Sequence, residues 1–176
     1  MKLIPNLLSA SRLALAPWVY WLLWRREYGI ALAVCFYAGI SDALDGLLAR
    51  RMSAASRFGA YLDPVADKIY LGGAFLTLAL DQKLQLWFAI LVLSRDVLIL
   101  LFAVSAFAFT SVRDFPPSVW GKLSTSAQIA FMLVLLLQLN GIPVGPLVTI
   151  MLWITSILTA WSAVHYAWIG RLMMKV

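Results

Sequence analysis

Apolar residues fall into six long runs separated by short polar breaks. About 20 helical residues cross the hydrocarbon core of a bilayer. Runs of that order extend roughly over Leu7 to Trp24, Ile30 to Ala49, Pro64 to Leu80, Leu84 to Phe109, Thr125 to Leu139 and Val144 to Ile169. They predict an all-α integral membrane protein with six transmembrane helices, a single domain over residues 1–176. The third run is polar at its start, where Asp63 borders it and Asp67 and Lys68 lie on it. It counts as a span because Ile69 to Leu80 continues as apolar helix, and because omitting it would strand carboxylates on opposite sides of the membrane. Met1 to Arg12, with Pro5 before Asn6, begins either as a short interfacial helix on the membrane surface or as a frayed terminus. The longest polar connection, Ser111 to Ser124 with Pro116 and Pro117, reads as a loop.

Composition agrees with the pattern: 63% of residues are apolar and 12% charged, far from the balance of a soluble domain. The first residues lack the features of a removable signal, so the first run is expected to remain as a span. Cys35, the single cysteine, has no internal disulfide partner and is expected to pack. The net charge of +6 is dispersed in short clusters between apolar runs, which argues for anionic lipid headgroups and against nucleic acid. Basic residues also set orientation. With both termini cytoplasmic, the inner segments hold Lys2, Arg50, Arg51, Arg57, Arg113, Lys122, Arg171 and Lys175, and the outer turns hold Arg25, Arg26 and Lys83. Trp18, Trp21, Trp24, Trp87, Trp120, Trp161 and Trp168 lie mostly near span ends, as headgroup-level aromatics do.

Against this background, four of the eight carboxylates crowd between Asp42 and Asp67. Acidic residues in membrane segments face cavities or partners and mark function. On helices, Asp42 and Asp45 share a face, and so do Asp63 and Asp67. Asp42, Asp45, Gly46, Ala49 and Arg50 fall within roughly 140° of arc, with Leu44, Leu47 and Leu48 opposite. The second span descends and the third returns, so the four carboxylates converge near the cytoplasmic end. Such a group needs cations to coexist, and an all-oxygen donor set suits Mg²⁺ or Mn²⁺, two of which would clamp a phosphoryl centre. Gly46 and Ala49 leave room for a base or diphosphate at the helix backbone, and Arg50 pairs with phosphate oxygens. The competing reading is a structural polar seam balanced by Arg12, Lys68 and Arg95.

Asp42, Asp45, Gly46, Ala49, Arg50, Gly59, Asp63 and Asp67, with their spacings, resemble the signature of the CDP-alcohol phosphatidyltransferase family. The Ile-Pro-Asn-Leu-Leu-Ser start leading to Arg12 is similar as well. The resemblance implies transfer of a phosphatidyl group from CDP-diacylglycerol to an alcohol with release of CMP, by a homodimer in a membrane, bacterial and inner, with the active site toward the cytoplasm. It implies that Asp42, Asp45, Asp63 and Asp67 hold two metal ions, that Asp67 is also the general base, and that Asp45, Gly46, Ala49, Arg50 and Gly59 line the nucleotide. Arg95, Lys122 and Arg12 are expected to meet the acceptor and its phosphate, the competing reading for Arg95 and Lys122 being charge balance for the acidic cavity. The family's glycerophosphate enzymes show Arg-Glu in the fourth span, a second Arg soon after, and Gly-Lys-x-Lys-Thr before the fifth. Here Asp96 follows Arg95, no second Arg follows, and Ser124 replaces the second Lys. The resemblance therefore points first to phosphatidylglycerol as acceptor, giving cardiolipin, with glycerol 3-phosphate as the alternative. Two other classes use acids in membranes. An Asp-rich prenyltransferase would have more spans, and a divalent-cation transporter would take up metal without releasing CMP.

Overall fold

A computed structural model of the chain describes residues 3–39, 57–109 and 118–173, with side chains at 14–39, 68–101 and 118–168. Every regular element among the described residues is helical: α1 (Leu3–Trp24), α2 (Tyr28–Gly39), α3 (Arg57–Leu80), α4 (Leu86–Phe109), α5 (Val119–Leu139) and α6 (Gly145–Met173). By length and composition, Val119–Leu139 and Gly145–Trp168 suffice to cross a membrane. Ala14–Trp24, Tyr28–Gly39 and Lys68–Leu80 are shorter apolar stretches.

Several boundaries differ from those read in the hydropathy. α1 is one unbroken helix from Leu3, so the amino-terminal segment forms neither a separate surface helix nor a frayed end from there on. α3 starts at Arg57, seven residues before the expected Pro64, and so carries Gly59 and Asp63. α5 starts at Val119 rather than Thr125, because the Ser118 hydroxyl accepts from the Gly121 N–H and caps the first turn. Gly121 and Lys122 are thus helical, not loop. In each case apolar content marks where lipid is tolerated, whereas the helix begins where its backbone hydrogen bonds begin.

α3 is central, packing against α1, α4 and α5, while α6 lies on α4 and α5. Phe75, Phe88 and Phe131 meet fully buried where α3, α4 and α5 converge, with ring centroids 5.0 to 5.9 Å apart. Between α1 and α3 the approach depends on Gly73, where a Cβ would lie 2.3 Å from the Tyr20 ring carbon bearing the hydroxyl. That hydroxyl donates to the Ile69 carbonyl. Cys35 is buried and accepts a hydrogen bond from the Tyr70 hydroxyl at 3.3 Å, a packing role joining α2 to α3. All seven tryptophans named above face outward.

The turns after α1, α3 and α5 share one design. Arg26, Gln82 and Gly141 each have positive φ, and the following N–H returns to a carbonyl one turn back: Glu27 to Leu22, Lys83 to Leu78, Ile142 to Leu137. With the Arg26 N–H also returning to Leu23, Gln82 to Ala79 and Gly141 to Gln138, each turn satisfies two helix-end carbonyls. The three turns meet at one end of the bundle: Arg26 forms an ion pair with Asp81 at 2.8 Å, and a Cβ on Gly29 would lie 3.3 Å from the Asn140 side chain. The Arg26 hydrogen bond, with its charge, holds the Asp81 carboxyl below the usual carboxylate range.

Candidate active site

Toward the opposite end of the bundle lies the first half of α3, which carries three of the positions singled out for chemistry. Gly59, Asp63 and Asp67 recur every four residues within α3, so the helix places them along one side, a turn apart. Asp42, Asp45, Gly46, Ala49 and Arg50 lie outside the described residues, and Arg12 occupies α1. Among the described residues no three His, Cys, Asp or Glu side chains gather around a possible metal. The donor chemistry of the expected set fits a hard divalent cation: carboxylate oxygens alone, two of them one helical turn apart on α3.

The next residue, Lys68, carries the chain of contacts onward. Its ammonium donates to the Asp96 carbonyl at 3.4 Å, tying α3 to α4. Arg95 and Asp96 are both buried, at 4% and 6% exposure. Arg95 donates through Nη1 to Asp96 Oδ1 at 2.7 Å, through Nε and Nη2 to the Ser162 hydroxyl at 3.2 and 3.0 Å, and through Nη2 to the Gly121 carbonyl at 3.3 Å. One guanidinium therefore joins α4, α5 and α6. A buried cation is retained only when paired and hydrogen-bonded, and here both conditions hold. Lys122, beside Gly121 on the first turn of α5, is exposed. The Tyr166 hydroxyl accepts from the Ser118 N–H at 3.0 Å and closes this end of the α5–α6 contact.

Farther along the same contact, Ser124 and Thr159 share a hydrogen bond at 3.1 Å, the Gln128 amide donates to Thr159 at 3.1 Å, and Thr155 donates to the Ala127 carbonyl at 3.3 Å. The structure thus brings Lys68, Arg95 and Gly121 with its neighbour Lys122 into one cluster. Sequence reading singled out Arg95 and Lys122 but missed Ser162, Tyr166 and the Gly121 carbonyl. The available signal was on α6, where Thr155, Thr159, Ser162 and Tyr166 repeat at helical spacing as a polar stripe. His165, read as an interfacial anchor, stacks edge-on to Tyr166 with centroids 6.4 Å apart; its Nδ1 is buried without a hydrogen-bond partner among the described residues.

The family model described as CDP-alcohol phosphatidyltransferase matches residues 2–161. A cardiolipin synthase (CMP-forming) of Streptomyces coelicolor is 34% identical over 96% of this chain and 80% of its own length. A CDP-diacylglycerol--glycerol-3-phosphate 3-phosphatidyltransferase of Haemophilus influenzae is 33% identical over 96% of this chain and 93% of its own. A probable cardiolipin synthase (CMP-forming) of Drosophila melanogaster is 39% identical over 55% of this chain, a match that spans 30% of that protein.

Proposed function

We propose, from the premise that this chain belongs to the CDP-alcohol phosphatidyltransferase family and is a transferase of that family, that it moves the phosphatidyl group of CDP-diacylglycerol to phosphatidylglycerol, giving cardiolipin and CMP. The acceptor hydroxyl oxygen forms a bond to the β-phosphorus of the nucleotide lipid, and the bond from that phosphorus to CMP breaks. Asp67 takes the hydroxyl proton as the new bond forms. Gly46 and Ala49 admit the nucleotide to the helix backbone, with Asp45 and Gly59 alongside, and Arg50 pairs with phosphate oxygens. Asp42, Asp45, Asp63 and Asp67 would hold Mg²⁺ or Mn²⁺, two ions in this reading, whose charge neutralises the diphosphate when bound.

The observation that carries the choice of acceptor is the buried pair of Arg95 and Asp96 at 2.7 Å. Asp96 cancels the charge of Arg95, which suits the singly charged phosphodiester of phosphatidylglycerol. A phosphate monoester dianion calls for more positive charge than the pair offers. Glycerol 3-phosphate is the second reading, favoured by exposed Lys122 next to the Arg95 contact on α5. In our reading all six helices span a bacterial inner membrane, both termini and residues 50–58 are cytoplasmic, and two copies assemble as a homodimer.

The test offers purified protein CDP-diacylglycerol and Mg²⁺ or Mn²⁺ with phosphatidylglycerol or glycerol 3-phosphate, and identifies the lipid product by mass. Cardiolipin is expected, with CMP release abolished by excess chelator. Phosphatidylglycerophosphate as the sole product would reverse the order of the two acceptors. Absence of CMP release with either would remove the proposed transfer.

A further inference from the structure

The guanidinium of Arg95 has five N–H donors, and four are already directed at the protein: one from Nε and one from Nη2 to Ser162, a second from Nη2 to Gly121, and one from Nη1 to Asp96. The Nε and Nη2 donors form the edge with which arginine chelates a phosphate through two parallel hydrogen bonds. Here a single oxygen, the hydroxyl of fully buried Ser162, receives both. The other edge is divided between the Asp96 carboxylate and the Gly121 carbonyl. From this geometry we infer that Ser162 is a positioning residue that sets acceptor specificity: by filling the Nε/Nη2 edge it restricts Arg95 to a single-donor contact with the acceptor, favouring a phosphodiester over a phosphate monoester. Ser162 itself touches no substrate; it acts through Arg95. The inference rests on the reading above, in which Arg95 faces the acceptor phosphate.

Removing the hydroxyl leaves two buried N–H groups without their partner; either phosphate has the oxygens to take both, but the monoester, with a second negative charge and a third terminal oxygen, gains more from two charge-assisted donors than the diester does. The experiment compares kcat/KM for glycerol 3-phosphate and for phosphatidylglycerol in the full-length protein, in Ser162→Ala, in Ser162→Thr and in Arg95→Lys. The ratio of the two values does not depend on how much protein is folded. Ser162→Ala is expected to raise the ratio toward glycerol 3-phosphate about tenfold, the scale of one charge-assisted hydrogen bond. Ser162→Thr, which keeps the hydroxyl, is expected to hold the unsubstituted ratio. If Ser162→Ala lowers both values equally while phosphatidylglycerol is still preferred and Arg95→Lys does shift the ratio, Ser162 is a packing residue and the inference fails alone. If Arg95→Lys leaves the ratio unchanged, Arg95 does not meet the acceptor, and the underlying reading fails with it.

Discussion

A carboxylate that takes a proton and one that only holds a cation fail differently when each becomes an amide. Asp67→Asn keeps the shape of the side chain but has no basicity, so turnover is expected to drop roughly a hundredfold or more while CDP-lipid affinity changes little. Asp42→Asn, at a position whose proposed role is to hold metal beside the nucleotide, is expected to weaken nucleotide-lipid binding along with activity. Affinity measured beside turnover separates the two, and equal loss of binding would make Asp67 chiefly a metal ligand. A different residue-scale constraint acts at Gly73. Its Cβ in Gly73→Ala would meet the Tyr20 ring at 2.3 Å, so Tyr20 must move off the Ile69 carbonyl. A loss of about 1–3 kcal/mol is expected, read as a lower unfolding temperature in detergent. The acidic positions stand out in the sequence because carboxylates are conspicuous among apolar residues and their spacing groups them; α3 carries Asp63 and Asp67 a turn apart, and Asp42 and Asp45 lie outside the described residues. Ser162 was not legible, because it lies 67 residues from Arg95; periodicity identifies a polar side of a helix but not the neighbour it meets.

Hydropathy located the helices, yet it misplaced the starts of α3 and α5, where polar residues belong to the helix but not to an apolar run. Ser118 after two prolines was a readable cap, and it is the reason Gly121 sits in a first turn where Arg95 reaches its carbonyl. At the other end, the α1–α2 turn is fastened to the α3–α4 turn by Arg26 and Asp81. Because the folded Asp81 carboxyl lies below its unfolded value, its stabilising contribution is present above about pH 4 and is lost as pH falls through the depressed folded value. Asp81→Asn is therefore expected to unfold at a lower temperature than the unsubstituted protein at pH 7, with the gap closing in acid. A gap that persists at pH 2 would assign the difference to something other than the ion pair.

For the molecule as a whole, the turns containing Arg26, Asp81 and Asn140 gather at one end and the Lys68, Arg95 and Gly121 cluster lies toward the other, as an up-and-down bundle requires. The sequence's excess of basic residues in the segments assigned to the inner side predicts that the second end faces the cytoplasm. Ser53→Cys should then resist a membrane-impermeant thiol reagent in intact cells and react after permeabilisation; labelling from outside would invert the orientation. The hydroxyl seam between α5 and α6 bears on how such a chain is made. Gln128 is 2% exposed and its amide is satisfied by Thr159 and Ser124. While only α5 has emerged from the ribosome, Thr159 is still inside the exit tunnel, and an amide left with Ser124 as its one partner in hydrocarbon is costly. α5 and α6 are accordingly expected to leave the insertion machinery as a pair, with the polar side of α6 acting as the release signal for α5. A nascent chain in which a polar tether long enough to clear the exit tunnel replaces everything after Asn140 should remain crosslinkable to that machinery in a cell-free membrane system, and Gln128→Leu in that chain should free it.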